Sequence, residues 1–175
     1  MPYIHLIEGA VGSGKSTFAA RLSQEHRAPR LILDDWMATL YSPDRPSTGN
    51  IQWYLERKDR CLGQMWKISC ELIENDTDVI LELGLIQYVE RQQFYKRVES
   101  AGYNLKIYVL HASREIRRER VLNRNKEKSS TYSMEVPEHI FELASSMWEP
   151  IDESECSAFE VEFISTDPKA LLEKC

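Results

Sequence analysis

The chain lacks the features of membrane-spanning, secreted and repeat proteins. No apolar stretch approaches the roughly 20 residues that a helix needs to cross a bilayer. The amino terminus does not show the charged segment followed by an apolar segment that marks a secretory signal. We find no internal repeat and no low-complexity segment. We therefore expect a cytoplasmic protein with an ordinary globular fold.

Residue types that commonly hold structural metals are also sparse. The four cysteines, Cys61, Cys70, Cys156 and Cys175, show neither CxxC nor other metal-ligand spacing. We expect them to be reduced thiols, because cytosolic proteins rarely keep disulfides. We interpret His5 as a strand histidine with satisfied hydrogen bonds rather than as a catalytic base.

Acidic residues outnumber basic residues, 28 to 22, but basic residues are concentrated in one segment. The formal net charge is −6, which gives no general attraction to a nucleic-acid backbone, so we do not expect a nucleic-acid partner. The exception is a basic cluster that forms either a solvated helix face or an anion-handling surface. It comprises Arg114, Arg117, Arg118, Arg120, Arg124, Lys126 and Lys128. Within this cluster, Arg114 and Arg117 are expected to form surface pairs with Glu115 or Glu119.

Apolar segments of strand length alternate with amphipathic segments of helix length. The 175 residues suit a single domain covering residues 1–175. The alternation predicts a three-layer α/β/α fold with a mostly parallel five-stranded sheet. Strands are predicted at 2–8, 30–33, 79–83, 105–110 and 159–164, helices at 16–26, 51–74, 89–101, 113–125, from 137 and from 168, and a turn-rich mobile loop at 42–50.

The first strand leads into a complete phosphate-binding motif. Residues 9–16 match G-x-x-x-x-G-K-[ST]. Its glycines allow backbone N–H groups to surround an anion, and the helix that follows adds its positive dipole end. The motif is that of a P-loop NTPase fold, and it predicts that a nucleoside triphosphate and Mg²⁺ bind here, with Lys15 on the phosphates and Ser16 as a metal ligand. The predicted nucleotide-binding residues are Gly9, Gly12, Ser13, Gly14, Lys15, Ser16 and Thr17.

Carboxylates follow the second and third predicted strands. Asp34 and Asp35 come after Leu33, and Glu82 closes an apolar run. The carboxyl ends of parallel strands are where ligands collect, so these side chains are expected near the glycine loop. Asp34 is a candidate general base, although both aspartates could instead be helix caps. Asp35 is a possible substrate ligand, and Glu82 could hold Mg²⁺ through water or bind substrate.

The order of these motifs resembles that of the small P-loop kinases. That group includes chloramphenicol phosphotransferase, zeta-type toxins and the kinase domain of polynucleotide 5′-kinases, and the resemblance covers about residues 3–148. It implies that Asp34 is the base and that arginines four residues apart, here Arg120 and Arg124, lie on a mobile lid at about 114–136 and stabilise charge. A 5′-kinase has an arginine where this chain has Met37, which weakens a nucleic-acid 5′-end as the substrate.

The leading hypothesis is a kinase that transfers the γ-phosphate of ATP to a hydroxyl of a small molecule. Lys15, Asp34, Arg120 and Arg124 are its candidate catalytic residues, and Arg120 is also a candidate nucleotide-binding residue. The alternatives are an NTPase with no acceptor, a nucleotide-binding switch with negligible turnover, and a toxin-like kinase of nucleotide-sugars. The sequence leaves open the acceptor, the oligomeric state and the preference among ATP, GTP and other triphosphates.

Overall fold

The structure alternates strands with helices along the chain. It is a computed structural model, and it describes residues 1–48, 50–127 and 135–168. The strands are β1 (Tyr3–Glu8), β2 (Arg30–Ile32), β3 (Val79–Glu82), β4 (Asn104–His111) and β5 (Glu160–Ser165). The helices are α1 (Lys15–His26), α2 (Leu33–Leu40), α3 (Asn50–Glu74), α4 (Tyr88–Ala101), α5 (Arg114–Glu127) and α6 (Glu138–Met147), with a 3₁₀ turn at Ser42–Asp44.

The five strands form one sheet in the order β2-β3-β1-β4-β5. All four strand pairings are parallel, which confirms the predicted parallel sheet. The central strand β1 lies between β3 and β4, so its carboxyl end is flanked by the ends of both neighbours. The glycine loop that follows β1 is therefore placed where other chain segments leave the sheet.

Side chains alternate between the two faces of the sheet, and each face has its own apolar core. Ile4 and Leu6 of β1 pack with the buried side chains of α2, α3 and α4. Ile7 packs on the opposite face, with Phe18, Ala19 and Leu22 of α1. Helices thus cover both faces, which confirms the predicted three-layer α/β/α fold.

The second strand is shorter than predicted. β2 ends at Ile32, and α2 begins directly at Leu33. Leu33 and Met37 lie four residues apart and are both buried, so the helical period already applies at Leu33. Asp34 and Asp35 consequently occupy the first turn of α2, where the helix dipole stabilises negative charge.

The other boundaries lie close to those predicted. The turn-rich segment 42–50 contains the 3₁₀ turn, and α3 begins within it at Asn50. Helix α5 continues to Glu127. Residues 128–134 of the predicted lid, and the predicted last helix beyond Pro168, lie outside the described residues.

No helix in the described part of the chain is both long enough and apolar enough to span a membrane. Cys61, Cys70 and Cys156 are free thiols, and Cys175 lies outside the described residues. Cys61 and Cys156 are buried, and burial raises the pKa of both thiols.

A buried cluster of charged side chains lies behind the glycine loop. Arg91 of α4 is fully buried and binds Glu155 through two hydrogen bonds of 2.5 and 3.0 Å. Glu8, the last residue of β1, is 2% exposed, and its charge interacts with that of Arg91. Because Arg91 already has Glu155 as its partner, burial dominates and raises the pKa of Glu8 to about 8.

Glu8 should make the stability of the protein depend on pH. The folded chain keeps a proton on Glu8 between the ordinary pKa of 4.5 and about 8, where the unfolded chain has lost it. The free energy of unfolding should therefore fall as the pH rises through this range. Each unit of pKa shift corresponds to about 1.4 kcal/mol, so Glu8→Gln should become more stable than the wild type by a few kcal/mol towards about pH 8.

Urea denaturation of the wild type and Glu8→Gln at a series of pH values measures this difference. Glu99→Gln, at an exposed position on α4, is the control and should follow the wild type. Parallel stability curves for the wild type and Glu8→Gln would contradict the assignment of a protonated Glu8.

Candidate functional site

The glycine loop joins β1 to α1 and is held by close backbone approaches. Helix α1 begins at Lys15, with Gly14 as its N-cap. Gly12 has a φ of +80°, and a Cβ there would lie 2.6 Å from the carbonyl oxygen of Arg117. A Cβ at Gly9 would similarly lie 2.5 Å from the carbonyl oxygen of Leu110. Only glycine fits at these two positions, because the loop packs directly against β4 and α5.

Lys15 and Ser16 face a carboxylate from β3. The Ser16 hydroxyl donates to Oε2 of Glu82 at 3.1 Å, and Nζ of Lys15 lies 3.8 Å from Oε1 of the same residue. Lys15 also donates to the carbonyl oxygens of Gly9 and Ala10, at 2.9 and 3.2 Å. The loop amides, an ammonium group, a hydroxyl and a carboxylate therefore meet at the amino end of α1.

Glu82 is positioned by the alternation of β3. Ile80 packs on the face that α1 covers, and Glu82, two residues further, projects towards the same helix. Glu82 is 7% exposed, and burial raises its pKa although the nearby Lys15 acts in the opposite direction. A second cation beside this buried carboxylate would favour its ionised form.

The two aspartates of α2 lie near enough to Glu82 for their charges to act on it. Both are exposed, and the negative charge of each contributes to the raised pKa of Glu82, with the larger effect from Asp34. Thr17 is also exposed in the first turn of α1. The structure thus places Asp34 and Asp35, which follow β2, near the glycine loop, as the order of the motifs predicted.

Polar side chains of α3 and α4 lie near this acidic segment. Lys58 of α3 is buried and donates to Glu90 of α4 at 2.6 Å. Burial, with the charges of Asp34 and Glu90, raises the pKa of Tyr54 to about 12. We had not identified Lys58 or Tyr54 from the sequence, since a helical period indicates which face is buried but not which polar groups meet there.

Helix α5 docks on the glycine loop through Arg117. Its Nη1 donates to the carbonyl oxygen of Val11 at 3.0 Å and to Oγ of Ser145 at 3.2 Å. The expectation that Arg117 forms a surface pair with Glu115 or Glu119 is therefore wrong. Burial lowers the pKa of Arg117, but its guanidinium remains charged at neutral pH.

Arg120 is linked to the loop through the end of β5. It donates to Oγ1 and to the carbonyl oxygen of Thr166, at 2.9 and 2.5 Å. The Thr166 hydroxyl donates in turn to the carbonyl oxygen of Ser13 at 2.9 Å. A Cβ at Gly14 would lie 3.9 Å from Nη1 of Arg120. One of the two predicted arginines therefore lies beside the glycine loop.

The other basic residues of α5 have different surroundings. Arg124 is partly buried, and its Nε makes no hydrogen bond within the described residues. Arg114 and Arg118 both pair with Glu142 of α6 at exposed positions. We had expected a partner for Arg114 within its own helix, but the partner comes from α6. Within the basic cluster, Arg114 and Arg118 thus bind α6, whereas Arg117 and Arg120 lie beside the glycine loop.

Comparisons with solved structures show the fold. A structure described as a "putative kinase" from Chloroflexus aurantiacus superposes with a TM-score of 0.68 at 14% identity, covering 99% of this chain and 93% of that one. Kti12 from Chaetomium thermophilum, in complex with ADP-AlF3, gives 0.66 at 17% identity, with 98% and 94% covered. A gluconokinase from Sinorhizobium meliloti gives 0.55 at 16% identity, with 99% and 88% covered.

At these identities the likeness shows a common fold and not a common substrate. No curated protein sequence matches the chain significantly. A family model described as an AAA domain, AAA_33, matches residues 4–151, which include the glycine loop, both aspartates, Glu82 and α5. The chain therefore belongs to the AAA_33 family, and it has the kinase-like P-loop NTPase fold.

Proposed function

We propose that the protein is an ATP- and Mg²⁺-dependent phosphotransferase that moves the γ-phosphate to a hydroxyl of a small molecule. The observation that carries this proposal is the meeting of the glycine loop with Glu82 and Asp34. Lys15 and Ser16 contact Glu82, and the charge of Asp34 acts on the same carboxylate. A donor site and an acidic group suited to an acceptor are thus adjacent.

The donor half uses groups that are already oriented. The loop amides and the Lys15 ammonium bind the phosphates, and the amino end of α1 adds its dipole. The Ser16 hydroxyl and the Glu82 carboxylate, 3.1 Å apart, offer the oxygen ligands that Mg²⁺ prefers. Bound there, Mg²⁺ would supply charge neutralisation on the phosphate oxygens, with Ser16 as a direct ligand and Glu82 holding it through water.

Asp34 supplies the general base in this proposal. It is exposed in the first turn of α2 and therefore open to an acceptor that enters from solvent. The acceptor oxygen forms the new bond to the γ-phosphorus as the bond from that phosphorus to the β–γ bridging oxygen breaks. The hydroxyl proton passes to Asp34, and ADP leaves with the bridging oxygen.

The arginines of α5 have an electrostatic role. Arg120 lies beside Gly14 and is held by Thr166, so its positive charge is close to the position of the phosphates. We assign Arg124, four residues further along the same helix face, to charge stabilisation from the lid. Such arginines contribute up to about 10³–10⁵ in rate in related phosphoryl-transfer sites.

The comparisons support a small hydroxyl compound as the acceptor. Two of the structures with this fold are a gluconokinase and a sugar kinase, which act on polyhydroxylated compounds according to their names. Asp35 and the surfaces of α2 and α3 around Tyr54 are the proposed acceptor side of the cleft. A net charge of −6 disfavours a nucleic-acid acceptor.

The acceptor requirement can be tested by ADP release. Purified protein with ATP and Mg²⁺ should release ADP slowly alone and faster with one class in a panel of sugars, sugar acids, polyols and nucleosides. The physical reason is that a bound hydroxyl replaces water opposite the γ-phosphate. A coupled assay measures ADP, and mass spectrometry of the stimulating compound should show one added phosphoryl group.

Lys15→Ala is the control and should abolish turnover in this assay. ADP release that no compound stimulates would favour an NTPase without an acceptor. Tight ATP binding with negligible turnover under every condition would favour a nucleotide-binding switch. Either outcome contradicts the proposed kinase.

Asp34 and Asp35 form a matched pair of exposed neighbours. Asp34→Asn should lower kcat by at least about 10²-fold with little change in KM for ATP, because the amide cannot accept the proton. Asp35→Asn should retain most of kcat. Steady-state kinetics of both variants with the stimulating acceptor measures this, and the reverse result would move the base to Asp35.

Glu82→Gln tests the metal assignment. The variant should need about 10–100 times more Mg²⁺ for half-maximal activity, since loss of a group that orients a metal's ligands typically weakens binding by that factor. Titration of activity with Mg²⁺ at saturating ATP measures the effect. Glu25→Gln, at an exposed position of α1, should leave the titration unchanged; an unchanged curve for Glu82→Gln would exclude Glu82 from metal binding.

A further inference from the structure

Two of the four histidines of the chain lie beside an aspartate towards the amino-terminal ends of the strands, away from the glycine loop. His5 belongs to β1, His26 is the last residue of α1, and Asp78 immediately precedes β3. Oδ2 of Asp78 lies 3.2 Å from Nε2 of His5 and 3.1 Å from Nδ1 of His26. We call these three residues the His–His–Asp cluster.

The spacing within the cluster suits a transition-metal ion. Zinc bonds to imidazole nitrogen and carboxylate oxygen are about 2.0–2.2 Å long, which places neighbouring ligand atoms of a tetrahedral site about 3.3 Å apart. Both contacts of Asp78 are close to that separation, and all three ligand atoms lie within 4.8 Å of one another. An ion therefore needs only small rotations of these side chains.

In His5 and Asp78, the polar atom that would not face the metal already has a hydrogen-bond partner. Nδ1 of His5 lies 3.1 Å from the hydroxyl of Tyr108, and Oδ1 of Asp78 accepts the backbone N–H of Tyr3 at 2.8 Å. These contacts orient Nε2 of His5 and Oδ2 of Asp78 towards His26. Outer partners of this kind fix ligand orientation in metal sites and strengthen binding.

Lys106 of β4 is a cation near His5, and its charge is offset because it pairs with Glu160 at 2.9 Å.

The cluster is also accessible from solvent. The side chain of His26 is 35% exposed and that of Asp78 is 24% exposed, whereas that of His5 is 3% exposed. An ion could reach the open side between His26 and Asp78 and keep one water as its fourth ligand. Such a site would tie the carboxyl end of α1 to β1 and to the start of β3.

We propose that His5, His26 and Asp78 bind one divalent transition-metal ion of the zinc class. Two imidazole ligands select zinc, cobalt or nickel over magnesium and calcium. This site is separate from the proposed Mg²⁺ position at Ser16 and Glu82, and it does not depend on the proposed catalytic activity. Its role is structural, since it joins β1, α1 and the residue before β3 at the amino-terminal ends of the strands, away from the glycine loop.

Equilibrium dialysis of chelator-treated protein against Zn²⁺ tests the proposal. The wild type should bind one equivalent at micromolar Zn²⁺ and gain thermal stability. His26→Ala and Asp78→Asn should weaken binding by more than about tenfold, because loss of even an outer partner costs about 10–100-fold. His26→Ala removes an exposed group at a helix end, so that variant should still fold. His139→Ala, at an exposed position of α6, is the matched control and should bind like the wild type.

Cobalt substitution identifies the ligand type independently. Co²⁺ in the cluster should give visible d–d bands without a thiolate charge-transfer band, because the proposed ligands are nitrogen and oxygen. No zinc binding by the wild type would overturn the proposal. Undiminished binding by His26→Ala, or a thiolate band that indicates the cysteines, would overturn it as well.

Discussion

The contact of Glu82 with Ser16 and Lys15 is the interaction on which the organisation of the candidate site depends. It joins the end of β3 to the first turn of α1, across the loop that leaves β1. Because β1 and β3 pair in a fixed parallel register, the carboxylate and the loop keep a defined separation. Asp34 is placed relative to this junction as well, because α2 begins directly after β2, the strand that pairs with β3.

The sheet separates two buried carboxylates with different surroundings. Glu8 projects to the face covered by α4, where it meets the Arg91–Glu155 pair and favours a proton. Glu82 projects to the face covered by α1, where it meets Lys15 and a hydroxyl. The same alternation that builds two apolar cores thus assigns one acid to the protein interior and the other to the phosphate site.

Much of the fold could be predicted because local patterns carry it. The glycine motif is recognised from adjacent residues alone. The apolar segments of the sequence predicted all five strands to within a few residues. Leu33 was assigned to the wrong element, since an apolar residue after Leu31 and Ile32 fits a strand as well as a helix. Arg117, Thr166 and Glu8 were not recognised as parts of the site or its support. Their partners, Val11, Ser13 and Arg91, lie far away in the sequence, and only the folded chain brings them together.

The central claim is that a phosphate donor site and a catalytic base share one cleft. A crystal structure with ADP, Mg²⁺ and aluminium fluoride tests it most directly. The account predicts phosphates in the glycine loop, Mg²⁺ on the Ser16 hydroxyl with Glu82 behind a coordinated water, and the Asp34 carboxylate within hydrogen-bond distance of the axial ligand opposite ADP. Phosphates bound elsewhere, or an axial ligand contacted by another group with Asp34 turned away, would contradict it.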